Sequence, residues 1–284
     1  MLAAVFAAVV MGSLGFFVKE SGLAANTMAF FRFLIGAVVM GIPIIAASVS
    51  KRRALHFSPS SFFSGFAIGC CILFYFKAVT LISIGIACFL MYIGPAFAIV
   101  GEAILLHKIP STRDRFILLA SLVGVLLLSQ IGFSADKNSL PIGGVIVALL
   151  SAVSYGAYIL LNRRIPYEVE LGERTFWQFV AGLGVIIISF LFESPDWGHV
   201  GGAWLYILIV GLVHGVLVLL LVAYAFKHLS AMQYGTLAYL EPIVATVLGF
   251  LCYQDTLSIP QAIGIVLILG AALFQCLPKK ETTN

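Results

Sequence analysis

Phe76-Lys77, followed by Gly85, is answered by Phe226-Lys227, followed by Gly235, about 150 residues further along the chain. Beyond those glycines Tyr92 stands three residues before Pro95, and Tyr239 three before Pro242, once a gap of three residues is allowed between Leu90 and Pro95. Ten apolar stretches of about twenty residues, each long enough to cross a bilayer, surround this repeated signature. They are read as spans over residues 2–18, 27–47, 60–80, 82–106, 115–132, 141–161, 174–192, 203–225, 231–252 and 259–277. The chain is thus expected to be an all-α integral membrane protein, with residues 1–135 forming a first five-helix repeat and residues 136–284 a second. An odd number of spans per repeat turns the second copy upside down, the arrangement of inverted repeats in secondary transporters.

Composition points the same way, because 62% hydrophobic and only 10% charged residues, with a mean hydropathy of +1.11, lie outside the soluble range. The apolar runs are continuous rather than alternating, which excludes a membrane β-barrel. Met1 to Gly15 is apolar but has no basic n-region, so it reads as the first span rather than a signal peptide, although the chain could begin upstream of Met1. Cys70, Cys71, Cys88, Cys252 and Cys276 lie in or beside spans without C-x-x-C spacing and read as free thiols.

Basic residues set the orientation. Lys51, Arg52, Arg53, Lys108, Arg113, Arg115, Arg163, Arg164, Arg174, Lys227, Lys279 and Lys280 fall on one side, twelve of the sixteen. Lys19, Lys77 and Lys137 fall on the other, and Arg32 lies inside a span. Both termini are therefore expected in the cytoplasm. Spread over five short loops, the net charge of +4 forms no nucleic-acid footprint. No loop is long enough to hold a soluble catalytic domain.

An ionisable group in hydrocarbon costs about 2.5 kcal/mol or more, so each one needs a partner, a wet cavity or a task. Glu241 sits near the middle of the ninth span, beside a proline that loosens its helix; a substrate-amine or proton site competes with a structural carboxyl at a kink. His214, between Gly211 and Gly215, suits a proton relay or a close-packing face. Arg32 could hold a substrate carboxylate bidentately, or pair with a helix C-terminus or Glu20. Tyr92 and Tyr239 occupy matching repeat positions, and Tyr155 and Tyr158 share the sixth span, so these four are expected to line a pocket. Pro95 and Pro242 are the expected hinges. Lys77 and Lys227 read as helix caps or headgroup anchors, and Glu102 as a partner of Lys108, His107 or Arg113. Gln130, Asn162 and Gln178 could line a polar path, but each falls near a helix end.

Gly12, Phe31-Arg32-Phe33, Lys77, Pro95 and Tyr239-Leu240-Glu241-Pro242, in this order, resemble the EamA-type branch of the drug/metabolite transporter superfamily. The similarity covers nearly the whole chain. It departs at one point: an acidic residue after the fourth and ninth spans is present as Asp255 in the second half, whereas the first half has Lys108. The resemblance implies a carrier with alternating access around a central cavity, with substrates such as amino acids, other metabolites, drugs or nucleotide-linked compounds, and export as the preferred direction.

Competing classes fare worse. No H-E-x-x-H, G-x-S-x-G or P-loop is present, which argues against an enzyme or an ATP-driven pump. A channel or scaffold lacks any such motif test and stays as the alternative, alongside an importer or exchanger. The expected function is a secondary transporter in the cell membrane, with a small-molecule substrate, proton coupling through Glu241 as a further reading, no cofactor and no metal. It would act as a monomer or a dimer.

Overall fold

The structure is a computed structural model that describes residues 1–50, 57–82, 84–107, 110–129, 141–253 and 257–277. Among the described residues all regular structure is helical, and nine stretches are long and apolar enough to cross a membrane. The fifth expected span, 115–132, corresponds to the 17-residue helix α7 (Thr112–Leu128), whose expected end at residues 130–132 lies outside the described residues. Gln130, Lys108 and Asp255 lie outside them too.

Several spans are interrupted, and prolines explain two of the breaks. A proline ring excludes the carbonyl four residues before it, so a helix running toward Pro95 should stop near Met91, and one running toward Pro242 near Ala238. The fourth span is indeed split into α5 (Ile84–Met91) and α6 (Gly94–Leu106), and the ninth into α12 (Ala231–Ala238) and α13 (Leu240–Tyr253). Where kinks were expected the helices break. The first span also breaks, at Ser13, between α1 (Leu2–Gly12) and α2 (Leu14–Ser21). In the eighth, a π-helical turn over Val210–Leu217 separates α10 (Trp204–Ile209) from α11 (Val218–His228).

The remaining helices are α3 (Ala25–Val49), α4 (Pro59–Leu81), α8 (Ile142–Arg163), α9 (Leu171–Ser189) and α14 (Ile259–Cys276). Packing joins early helices to late ones: α4 lies along α8 and α9, α7 along α14, α3 along α9 and the π-helical turn, and α1 along α11 and α13. The contact of α3 with α9 is reciprocal, since a Cβ on Gly36 would enter the ring of Phe179 and one on Gly182 the ring of Phe33. Outside this core, large apolar side chains such as Phe116, Val266 and Leu273 stand two-thirds exposed. Only a lipid environment accommodates so wide an apolar exterior.

One boundary changes a residue's meaning. The seventh span begins at Leu171 rather than 174, so Arg174, expected in a cytoplasmic loop, lies inside α9 with 1% of its surface exposed.

Candidate functional site

Glu241 opens α13 immediately after the break at Tyr239, where helix turns no longer cover the backbone. Gly12 permits the approach of the first span, because a Cβ there would lie 2.6 Å from the Glu241 carbonyl oxygen. Glu241 borders a small void, lined also by Ala4, Ala7, Ala8, Met11, Val222, Tyr234 and Ala238. The void is far smaller than the about 300–1,000 Å³ of small-molecule pockets, so a metabolite enters only if the helices part.

Tyr234 is the tyrosine that lines the void, and further tyrosines cluster around it. Tyr92 stands beside the Glu241 carboxyl. Tyr92 meets Tyr155 edge to face at a ring separation of 6.5 Å, and Tyr155 stacks on Tyr158 at 6.3 Å. Tyr155 also shares a hydrogen bond with Tyr234, whose ring lies 4.2 Å from that of Phe226. Tyr234 escaped the sequence reading; its one signal is its place directly before Gly235 in the repeated signature. Tyr239 stands apart, fully buried among Val125, Leu128 and Ile268, with its hydroxyl unpartnered and its ring 6.2 Å from Tyr92.

Arg32 approaches from α3. One of its terminal nitrogens donates to the His214 carbonyl at 2.9 Å and contacts Met11 Sδ at 3.5 Å, while its Nε has no partner. A π-helical turn takes carbonyls out of the α-helical ladder, and here the guanidinium satisfies the His214 carbonyl within that turn. The expected alternative pairing with Glu20 does not occur, because Glu20 accepts from the Tyr253 hydroxyl at 2.8 Å. Beside Arg32, His214 Nε2 lies 3.0 Å from Ser13 Oγ, and Ser13 Oγ donates to the Val10 carbonyl at 2.7 Å. His214 Nδ1 is buried in the same cluster. Arg32 and Glu241 form no direct ion pair, yet each feels the other's charge. The glycines flanking His214 serve close packing as well: Gly211 faces Ile35 and Gly215 faces Arg32.

Arg32, His214, Glu241, Tyr92, Tyr155 and Tyr158 therefore converge, with Pro95 and Pro242 at the two helix breaks beside them. Glu102 does not pair with its expected partners His107 or Arg113. Its carboxyl instead meets Arg163 at 3.3 Å and accepts from the Ala231 amide at 3.2 Å, and Arg163 also reaches the Phe226 carbonyl at 3.2 Å. Lys227 donates to the Tyr167 carbonyl at 2.8 Å.

Broken helices around a half-buried carboxyl agree with what comparison reveals. The sequence model of the EamA-like transporter family matches residues 1–130 and again 142–276. The chain belongs to the EamA-like transporter family. It is 27% identical over 287 residues to an uncharacterized transporter, YxxF, of Bacillus subtilis, covering 99% of this chain and 90% of that one. An uncharacterized transporter of Archaeoglobus fulgidus is 23% identical over 277 residues, covering 95% of this chain and 94% of its own. Protein PecM of Dickeya dadantii is 26% identical over 185 residues, covering 63% of this chain and 60% of its own. A protein of known crystal structure superposes with a TM-score of 0.79 at 20% identity, over 97% of this chain and 96% of its own, which establishes the shared fold. This EamA-like chain is thus a multi-pass cell-membrane transporter and not an enzyme.

Proposed function

We propose that the chain is a secondary carrier exporting small metabolites such as amino acids by alternating access. Ten spans form two inverted five-helix repeats, residues 1–135 and 136–284, with both termini cytoplasmic. Two matches of one family model, the reciprocal Gly36–Phe179 and Gly182–Phe33 contacts, and proline breaks at equivalent places support the repeat. The basic residues support the orientation.

One observation carries the substrate site: Glu241, at a helix break, borders a small void, with Tyr92 beside it and Arg32 within electrostatic reach. A carboxyl and a guanidinium that face each other without touching leave room for the amine and carboxylate of a zwitterion. Tyr155, Tyr158 and His214 join the site as the helices part, Tyr239 supports Tyr92 from behind, and bending at Pro95 and Pro242 alternates access. A proton carried on Glu241 would couple the cycle.

Counterflow in proteoliposomes tests this reading. Liposomes loaded with an unlabelled amino acid should accumulate its labelled trace, and Glu241→Gln should abolish a pH-gradient-driven flux. Unchanged flux in Glu241→Gln would remove the carboxyl from the mechanism.

A further inference from the structure

Arg174 is 1% exposed, more deeply buried than Arg32 at 6%, and the established transport function does not account for it. One of its terminal nitrogens donates to the Asn162 carbonyl at 3.1 Å and to Asn162 Oδ1 at 2.7 Å. Asn162 Oδ1 also accepts from Gln178 Nε2 at 2.8 Å, and the same nitrogen reaches Ser64 Oγ at 2.8 Å. Every acceptor offered to this guanidinium is neutral. Arg174 Nε and Gln178 Oε1 are buried with no partner, and among the described residues no carboxylate pairs with Arg174; the ionisable groups that act on it are Tyr158 and Arg163. A buried cation served by neutral oxygens and the face of Phe226, with no anion, keeps a large desolvation cost.

Its position gives the cost a use. Arg174 lies over the Phe226 ring at 6.0 Å, and that ring meets Tyr158 at 6.4 Å and Tyr234 at 4.2 Å, so the guanidinium borders the tyrosine cluster from α9 as Arg32 approaches from α3. Among the described residues no carboxylate forms an ion pair with either guanidinium. A ligand carboxylate supplies the missing anion and suits the planar fork of arginine.

We propose that Arg174, with Asn162, Gln178 and Ser64, is a second anion-recognition station, and that the obligatory recognition group of the substrate is a carboxylate passed between Arg174 and Arg32. This rests on the carrier reading and narrows its substrate class: the carboxylate is required and the amine is not. Neutral Asn162 holds Arg174 while the path is closed, and the substrate carboxylate displaces it when the path opens.

Counterflow of five labelled solutes by the full-length protein separates the possibilities: glutamate, phenylalanine and succinate carry carboxylates, whereas putrescine and choline do not. Exchange of at least one carboxylate and of neither cation is expected. Arg174→Gln should then raise the carboxylate KM by about tenfold or more, and Arg174→Lys by less, the loss expected for one charge-assisted contact. Asn162→Asp places an anion against Arg174 permanently; it should raise KM likewise while melting no lower than the parent, a combination a merely structural role of Arg174 would not produce. Exchange of putrescine or choline alone, or an unchanged carboxylate KM in folded Arg174→Gln, overturns the proposal and leaves the carrier reading intact. Failure of the folded parent to exchange any of the five overturns both.

Discussion

Replacing Gly65 by alanine tests how closely α4 and α9 approach. A Cβ at Gly65 would overlap the backbone of Gln178, and even the carbonyl carbon would lie only 2.7 Å away, where 3.4–4 Å is ordinary contact. The obstacle is backbone, so no rotamer change relieves it, and the helices must separate by roughly 1 Å along a tightly packed seam. Overpacking of this kind costs about 1–3 kcal/mol, and a backbone obstacle belongs at the upper end. Alanine recovers about 1 kcal/mol over glycine from helix propensity, leaving a net loss of about 2 kcal/mol. Gly184, in the same α9 with nothing within 4 Å of its added Cβ, supplies the control: Gly184→Ala should gain about 1 kcal/mol. Thermal melts of the two variants in detergent should therefore move in opposite directions from the parent. Parting the helices also pulls Gln178 from Ser64, now 2.8 Å apart, so Gly65→Ala should depress exchange while Gly184→Ala should not. Melting curves that shift together, or a Gly65→Ala protein as stable as the parent, would refute the close approach and the reasoning built on it.

Glu102→Gln removes the ion pair to Arg163 and the charge on the Ala231 amide at the start of α12, both part-exposed; a loss of about 1 kcal/mol is expected, shrinking at high salt, and a salt-independent loss would contradict an electrostatic origin. In the loop after α9, the hydrogen bond from His199, 2.8 Å away, holds the Asp196 carboxyl below the usual carboxylate range. A carboxyl lowered in the folded state contributes stability above its unfolded pKa and loses it as pH falls through the folded one. Asp196→Asn should thus differ from the parent most at neutral pH, with the melting temperatures converging in acid. A gap that stays constant with pH would exclude this pair as its source.

The membrane class, most of the spans and the two proline breaks were legible in the sequence alone, because each follows from short-range physics. Apolar runs of this length force the backbone to satisfy its own hydrogen bonds as helix. Pro95 and Pro242 exclude the carbonyls four residues before them, which favours the ends of α5 and α12, whereas Pro43 sits within the unbroken α3. Glu241, Arg32 and His214 were likewise conspicuous as charged or titratable groups within hydrocarbon. Tertiary structure decided what they meet. Arg174 looked like one more cytoplasmic basic residue, since hydropathy cannot distinguish a loop arginine from one buried three residues into a helix. Its burial depends on Asn162, Gln178 and Ser64, which converge from three helices. Arg32 meets the His214 carbonyl only through the π-helical turn, which hydrophobic spacing does not encode, and Glu102 meets Arg163 rather than its neighbours in sequence. Which faces of separate helices turn toward one another is a matter of side-chain interdigitation across the bundle, and the small residues Gly12, Gly36, Gly65 and Gly182 acquire their roles only when a particular partner packs against them.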